Sequence, residues 1–327
     1  MGYAMPKEEI SFQKVLEALL DDSEPFPPLY LYQFSDIEPR HLEALLAAWP
    51  RVSPTRKQSL LEDLENLAEA DTLLSFEDLA RSLLSDTEPQ VRVLAIRLLW
   101  QWEDAKLAPV LLDMLNKDAS PLVRAAAATA LGQFIYLGEI EEIPERTLHK
   151  VEDNLLAAAQ AADDTLVRRR ALEALGFSSC PELPPLIEAA YARKEPDWVI
   201  SALFAMGRSA NERWQKPVMA RLGDENPDVR FEAVRAAGEL ALKAARIPLM
   251  DALEEEEDAD IRAAMIWSLS QIGGEGVEDL LEDLLDQTAD EEEADLLEEA
   301  LDNLEFTEGL ASFEMFDFDA DEDNEGD

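Results

Sequence analysis

One short signature recurs along this chain at an almost constant interval, and it restricts the possible folds more than any other feature. Six segments share a register: Pro89-Gln90-Val91-Arg92, Pro121-Leu122-Val123-Arg124, Thr165-Leu166-Val167-Arg168, Pro196-Asp197-Trp198-Val199, Pro227-Asp228-Val229-Arg230 and Ala259-Asp260-Ile261-Arg262. Their third residues lie 32, 44, 31, 31 and 32 positions apart. A period of this size marks a helical repeat array, which grows without a single central core. Four positions after each anchor stand Ala95, Ala127, Ala171, Ala202, Ala233 and Met265, and eight after stand Leu99, Leu131, Leu175, Met206, Ala237 and Leu269. Offsets of zero, four and eight fall on one helix face, so these residues are expected to point into the packing between helices. Gly132, Gly176, Gly207 and Gly238 follow at offset nine.

Upstream of each such helix lies a second amphipathic segment, often with proline near its start, as in Ala108-Pro109, Leu183-Pro184-Pro185, Lys216-Pro217 and Ile247-Pro248. Proline suits the first helical turn, where its missing N–H would have no partner anyway. Each unit therefore reads as helix, short turn, helix, with Asp-rich turns expected to cap the second helix. The whole pattern resembles the HEAT repeat, in particular the short bacterial type named after phycobilin lyases, over about residues 76–286. The resemblance implies a ladder between repeats, made by the turn acid and the arginine six residues later: Asp86 with Arg92, Asp118 with Arg124 and Asp224 with Arg230, with Glu256 and Arg262 as a variant. Ala162 stands in the acid position before Arg168 and Val199 in the arginine position, so the ladder is expected to lapse around the third and fourth copies. The expected architecture is an all-α, right-handed α-solenoid of about seven to eight antiparallel helix pairs in one continuous domain.

Five segments are expected. Residues 1–38 hold a helix over 6–20 and an extended Pro/aromatic cap, and 39–75 a divergent first helix pair. Residues 76–286 form the repeat array, with a loop insertion at 135–147, 287–305 an acidic capping helix, and 306–327 an acidic, Phe-containing disordered tail. The cap's alternative role is a docking arm, and the insertion is either a spacer or a functional loop.

Composition narrows the chemistry. Residues 251–327 hold 31 acids and one base, Arg262, within a chain of net charge -44. Such an excess repels phosphate backbones, so no nucleic-acid partner is expected. No run reaches the roughly 18 apolar residues of a membrane span, and Met1 to Lys7 lacks the features of a signal peptide, so a cytoplasmic protein without membrane insertion is expected, and a monomer; the resemblance implies a bacterial chain. Neither His41-Leu42 nor His149-Lys150 matches the His-Glu pairs of the di-iron hydroxylase that shares the HEAT-like pattern, so no metal and no cofactor are expected. Cys180 has no histidine near in sequence to stabilise a thiolate, and Gly273-Gly274-Glu275-Gly276 lacks the lysine of a phosphate loop, so no catalytic residue is assigned.

At 100° per residue, offsets two, six and nine point away from the packing face, and the resemblance implies that this surface is concave. It gathers Trp100, Phe204, Phe231 and Trp267 with Arg97, Arg169 and Arg235. Exposed aromatics and arginines are the residues of interface hot spots. The expected function is a non-catalytic scaffold or adaptor holding a protein or peptide in this groove, with the arginines meeting acidic groups on the ligand. The alternative is a lyase- or chaperone-type enzyme acting on a protein-bound prosthetic group or side chain, with phycobilin-lyase-like activity. Phe313, Phe316 and Phe318 in the tail are expected either to sit in a solubilising terminus or to visit the groove as a competing motif.

Overall fold

The computed structural model describes residues 10–100, 102, 104–161 and 163–319, with side chains described as far as Phe306. Among these residues all regular structure is helical, and eight helix pairs follow a short N-terminal helix. Contacts divide the chain into two compact units, Met1–Ala174 and Leu175–Asp327, where one continuous domain was expected.

The first unit begins with α1 (Phe12–Leu20) and then holds four pairs. These are α2 (Pro39–Ala48) with α3 (Pro54–Ala70), α4 (Glu77–Leu83) with α5 (Pro89–Arg97), α6 (Leu107–Lys117) with α7 (Pro121–Glu139), and α8 (Glu145–Gln160) with α9 (Thr165–Ala174). The second unit holds α10 (Leu183–Tyr191) with α11 (Pro196–Arg208), α12 (Gln215–Met219) with α13 (Pro227–Glu239), α14 (Arg246–Leu253) with α15 (Ala259–Ile272), and α16 (Val277–Gln287) with α17 (Glu291–Asp319). The molecule is an α-solenoid in which second helices of successive pairs pack on one another, as α5 does on α7 and α13 on α15.

The residues at offsets zero, four and eight are buried in all six copies, from Val91, Ala95 and Leu99 to Ile261, Met265 and Leu269. Burial of aliphatic side chains at about 1.5–3 kcal/mol each makes this face the main source of cohesion between pairs. Offset nine behaves differently from the expectation that it faces outward. Gly132, Gly176, Gly207 and Gly238 are buried, and a Cβ on each would press on the next second helix: on Ala174, Ala205, Ala236 and Ser268 respectively, at 2.8–3.2 Å from their Cα atoms. Each of those four residues stands seven positions after the anchor of its own repeat. Glycine at offset nine therefore lets successive second helices approach to backbone contact, which is why the position is small rather than polar.

The ladder is present with a division of labour inside each arginine. Arg92 donates from Nη1 to the main-chain oxygen of Asp86 in its own turn at 2.7 Å, and from Nε and Nη2 to both carboxylate oxygens of Asp118 in the next repeat at 2.9 and 2.7 Å. Arg124 repeats this with the Asp118 carbonyl and the Asp163 carboxylate. In the second unit Arg230 binds the Asp224 carbonyl and the Glu256 carboxylate, and Arg262 binds the Glu256 carbonyl and the Glu293 carboxylate. The planar fork of guanidinium fits this two-oxygen pairing in Arg92, Arg124 and Arg230, whereas Arg262 directs Nε and Nη2 to one Glu293 oxygen and Nη1 chiefly to the Leu253 carbonyl. The lapse expected at the third copy is corrected for the incoming rung, because Asp163, one position after Ala162, receives Arg124. The expected capping by turn acids holds for Asp258, which accepts from the Asp260 and Ile261 N–H groups at the start of α15, but not for the ladder acids of the earlier turns. Asp86, Asp118 and Asp224 accept from the N–H two residues on, and the caps of α13 and α15 are Asn226 and Asp258.

A further repeat is hidden in the divergent pair. Pro54-Thr55-Arg56-Lys57 opens α3 as the Pro-x-Val-Arg signature opens the others, and buried Lys57 takes the arginine's place, 3.5 Å from the Asp86 carboxylate. Trp49 completes that rung by donating its indole N–H to Asp86 at 2.6 Å.

Three other segments depart from expectation. The segment 23–38 is not extended throughout, since Pro28–Phe34 forms a 3-10 helix. Within it Phe34 is fully buried, with Phe12 and Phe26 each 6.2 Å from its ring centre and His41 stacked on Phe12 at 4.4 Å, while Tyr32 is 50% exposed. The insertion 135–147 is mostly helix instead of loop. It lengthens α7 to Glu139, and Ile135 and Leu137 are buried there. Glu141 at φ 63° then closes α7 with paired Glu142 N–H to Leu137 and Glu141 N–H to Gly138 bonds, a Schellman turn. Finally α17 continues through Asp319, past the boundary expected at 306. Asp290 caps it by accepting from the Glu292 and Glu293 N–H groups, and acids in its first turn suit the helix dipole, so acidic composition there favours helix over disorder. The side chains of Phe313, Phe316 and Phe318 and residues 320–327 lie outside the described set, and so does the expected visit of the tail to the groove.

Candidate functional site

Each unit presents a cleft between neighbouring second helices. In the second unit it lies between the N-terminal halves of α13 and α15 and encloses about 460 Å³. Phe231 and Arg235, at offsets two and six of α13, face Ala263 and Trp267 at the same offsets of α15. The close approach at Gly238 fixes the indole, because Trp267 Cζ3 lies 2.8 Å from where a Gly238 Cβ would stand. Asp228, Asp258 and Asp260, all exposed, also line the cleft. In the first unit a cleft of about 390 Å³ is lined by Glu65, Glu69 and Thr72 at the end of α3 with Arg97 and Trp100 after α5. Trp100 stands at the offset-nine position that the next four repeats give to glycine. The helix stops at Arg97, and the indole is 53% exposed.

The predicted residues do not form one uniform set. Phe231, Arg235 and Trp267 are brought together, as are Arg97 and Trp100. Phe204 is half-buried and its ring is covered by Arg208, whose guanidinium is 4.4 Å from the Phe204 centroid and 4.8 Å from that of Phe177. Arg169 is half-buried on α9 and lines neither cleft. The arginines expected to await an acidic ligand are engaged within the chain: Arg97 Nε is 2.6 Å from Glu65 Oε1, and Arg235 Nη2 is 3.2 Å from Glu239 Oε1. Burial raises the Glu239 pKa against the opposing pull of Arg208 and Arg235.

The acids of both clefts were missed by sequence reasoning. A signal existed, because Asp228 and Asp260 occupy the same offset in successive repeats, directly before the anchor, and Glu65 stands nine positions after Arg56 in the hidden repeat. Among the described residues no group of three His, Cys, Asp or Glu side chains is arranged to hold a metal ion, and no helix is long and apolar enough to cross a membrane.

A family model described as HEAT repeats matches residues 77–176, 183–270 and 216–302. No curated protein matches the chain significantly. Among solved structures, YibA of Escherichia coli is 20% identical, covering 87% of this chain and 99% of its own, with a TM-score of 0.45. The CpcE–CpcF complex of phycocyanin lyase from Nostoc is 19% identical, covering 70% of this chain and 94% of that one, with a TM-score of 0.47. Human deoxyhypusine hydroxylase is 19% identical over 80% of this chain and 95% of its own, with a TM-score of 0.34.

Proposed function

Because the chain belongs to the HEAT-repeat family, we propose that it is a protein-interaction scaffold, which binds a protein or an extended peptide on the second-helix surface of its repeats. The observation that carries this reading is the α13–α15 cleft, where Phe231 and Trp267 line open space on a face that the repeat packing leaves uncovered. Large aromatics at such a place lose little entropy on binding and bury much apolar area, the combination that makes hot spots. Trp100 in the first unit offers a second contact of the same kind.

Affinity capture from the native cell tests this. Phe231→Ala with Trp267→Ala is expected to lose the partner that the unaltered chain retains, with helical circular dichroism unchanged. Truncating one such anchor costs about 2 kcal/mol, or roughly thirtyfold in affinity. Full retention of the partner by that variant and by Trp100→Ala would remove this surface from the function.

A further inference from the structure

We propose that the α13–α15 cleft receives a basic segment of the partner, with one Lys or Arg side chain lying against Phe231 and Trp267 and its charged head among Asp228, Asp258 and Asp260. This rests on the scaffold reading above and adds the chemistry of the occupant.

The lining determines the sign. Three exposed carboxylates face the cleft, and among the described residues no ion pair engages any of them. The single cation of the lining, Arg235, is already turned to Glu239. The cleft also lies at the N-terminal ends of α13 and α15, whose dipoles offset part of the negative charge. Each dipole amounts to about half a charge, so two of them leave about two of the three negative charges uncompensated. A carboxylate-bearing ligand is therefore repelled, and the acidic tail of this chain fits the cleft poorly for the same reason.

The aromatic lining supplies the rest. A cation within about 6 Å of an aromatic centre is attracted to the ring face, and the aliphatic stem of Lys or Arg covers apolar surface while its head stays wet. The chain uses the same contact internally, with Arg193 4.0 Å from the Trp198 centroid and Arg213 5.0 Å from that of Trp214. The first unit has a weaker version of this arrangement, since Trp100 shares its cleft with Glu69 and with the paired Arg97 and Glu65. A net charge of -44 would also steer a basic segment to the molecule from a distance.

The test uses the full chain and three labelled twelve-residue peptides of one Gly/Ser/Leu framework, carrying four Lys, four Glu or no charge, at physiological salt. Fluorescence anisotropy is expected to show saturable binding of the Lys peptide only. Asp228→Asn with Asp260→Asn is expected to weaken it roughly tenfold, as is Trp267→Ala, whereas Trp267→Phe keeps it within about threefold. Glu278→Gln with Asp279→Asn removes the same charge from the exposed surface of α16 and is expected to change affinity less than about twofold. Equal weakening by both double variants would mean attraction to bulk charge and would overturn the inference. Binding of the neutral or Glu peptide that is lost in Trp267→Ala would also overturn it while upholding the scaffold reading. Failure of the Lys peptide to bind would overturn it as well, and the capture experiment above decides the scaffold reading separately.

Discussion

A ladder arginine such as Arg92 belongs to two repeats at once, and this makes its removal more costly than an ordinary ion pair. Its side chain and that of Asp118 are only 12% and 11% exposed, and truncation would leave the Asp118 carboxylate and the Asp86 carbonyl short of donors together. Arg92→Ala is therefore expected to lower stability by about 2 kcal/mol, read as a shift in the urea midpoint. Lys117→Ala, which breaks an ion pair with Asp113 at 72% and 60% exposure, is expected to change it by less than about 0.5 kcal/mol. Equal effects would remove the ladder's special standing. At this scale the sequence was informative about which arginines matter and less so about what they hold. Arg92, Arg124, Arg230 and Arg262 stand at fixed offsets, but the carboxylate each one grips lies 26 to 39 residues away. A same-repeat pairing therefore sees only the carbonyl half of the contact. The ion pairs of Arg97 and Arg235 differ in legibility: Glu239 stands four positions after Arg235 on the same helix face, a spacing the sequence itself displays, whereas Glu65 becomes a neighbour of Arg97 only through the packing of α3 on α5.

Among the elements, the second helices carry the architecture, and their close contacts depend on glycine in a way that can be tested directly. A Cβ on Gly238 would sit 2.8 Å from the Ser268 Cα and 2.8 Å from the Trp267 ring, and neither the backbone nor the half-buried indole beside it yields easily. Gly238→Ala is expected to destabilise by about 1–3 kcal/mol and to alter Trp267 fluorescence, since separating α13 from α15 reshapes the cleft. Gly223→Ala provides the contrast, because nothing lies within 4 Å of the added methyl. It is expected to be neutral or to stabilise by up to about 1 kcal/mol through the unfolded state. A Gly238→Ala protein with an unchanged melting temperature would show that the second helices slip freely. The elements themselves were largely legible, since the period located the second helix of every copy and proline placement marked the first helix of four of them. Helix ends were less so. The extension of α7 and the passage of α17 beyond 306 occur where composition pointed to loop or tail, whereas Ile135, Leu137 and the cap at Asp290 favoured helix locally.

Over the whole molecule, acidity acts on stability in two opposing ways, and pH with salt can separate them. An excess of 44 negative charges disfavours the compact state by self-repulsion, so protonating some of them is stabilising at first. The ladder acids respond in the other direction. Burial pushes the Asp118 and Glu256 pKa values up, but hydrogen bonds from Arg92 and Arg230 and from nearby main-chain N–H groups outweigh it and hold both below the usual range. Asp163 is held down first by Arg124, Glu293 by Arg262, and Asp224 by the Asn226 N–H. Groups with lowered folded pKa values contribute stability that is complete above their unfolded values of 3.8 and 4.5 and is lost as pH falls through the folded ones. Glu239, raised by burial, has the opposite sign, with its contribution lost as pH rises through its folded value. Stability at low salt is thus expected to rise on acidification from pH 8 to about 5 and to fall steeply below about 4. At about 1 M salt the Debye length shrinks to about 3 Å, which screens the diffuse repulsion but leaves the short, half-buried rungs largely intact. The rising limb should therefore flatten in high salt while the falling limb persists, as followed by thermal melting across the pH series. If the acid limb vanished with salt as well, the ladder carboxylates would be acting only through long-range charge and not through the rungs that join the repeats.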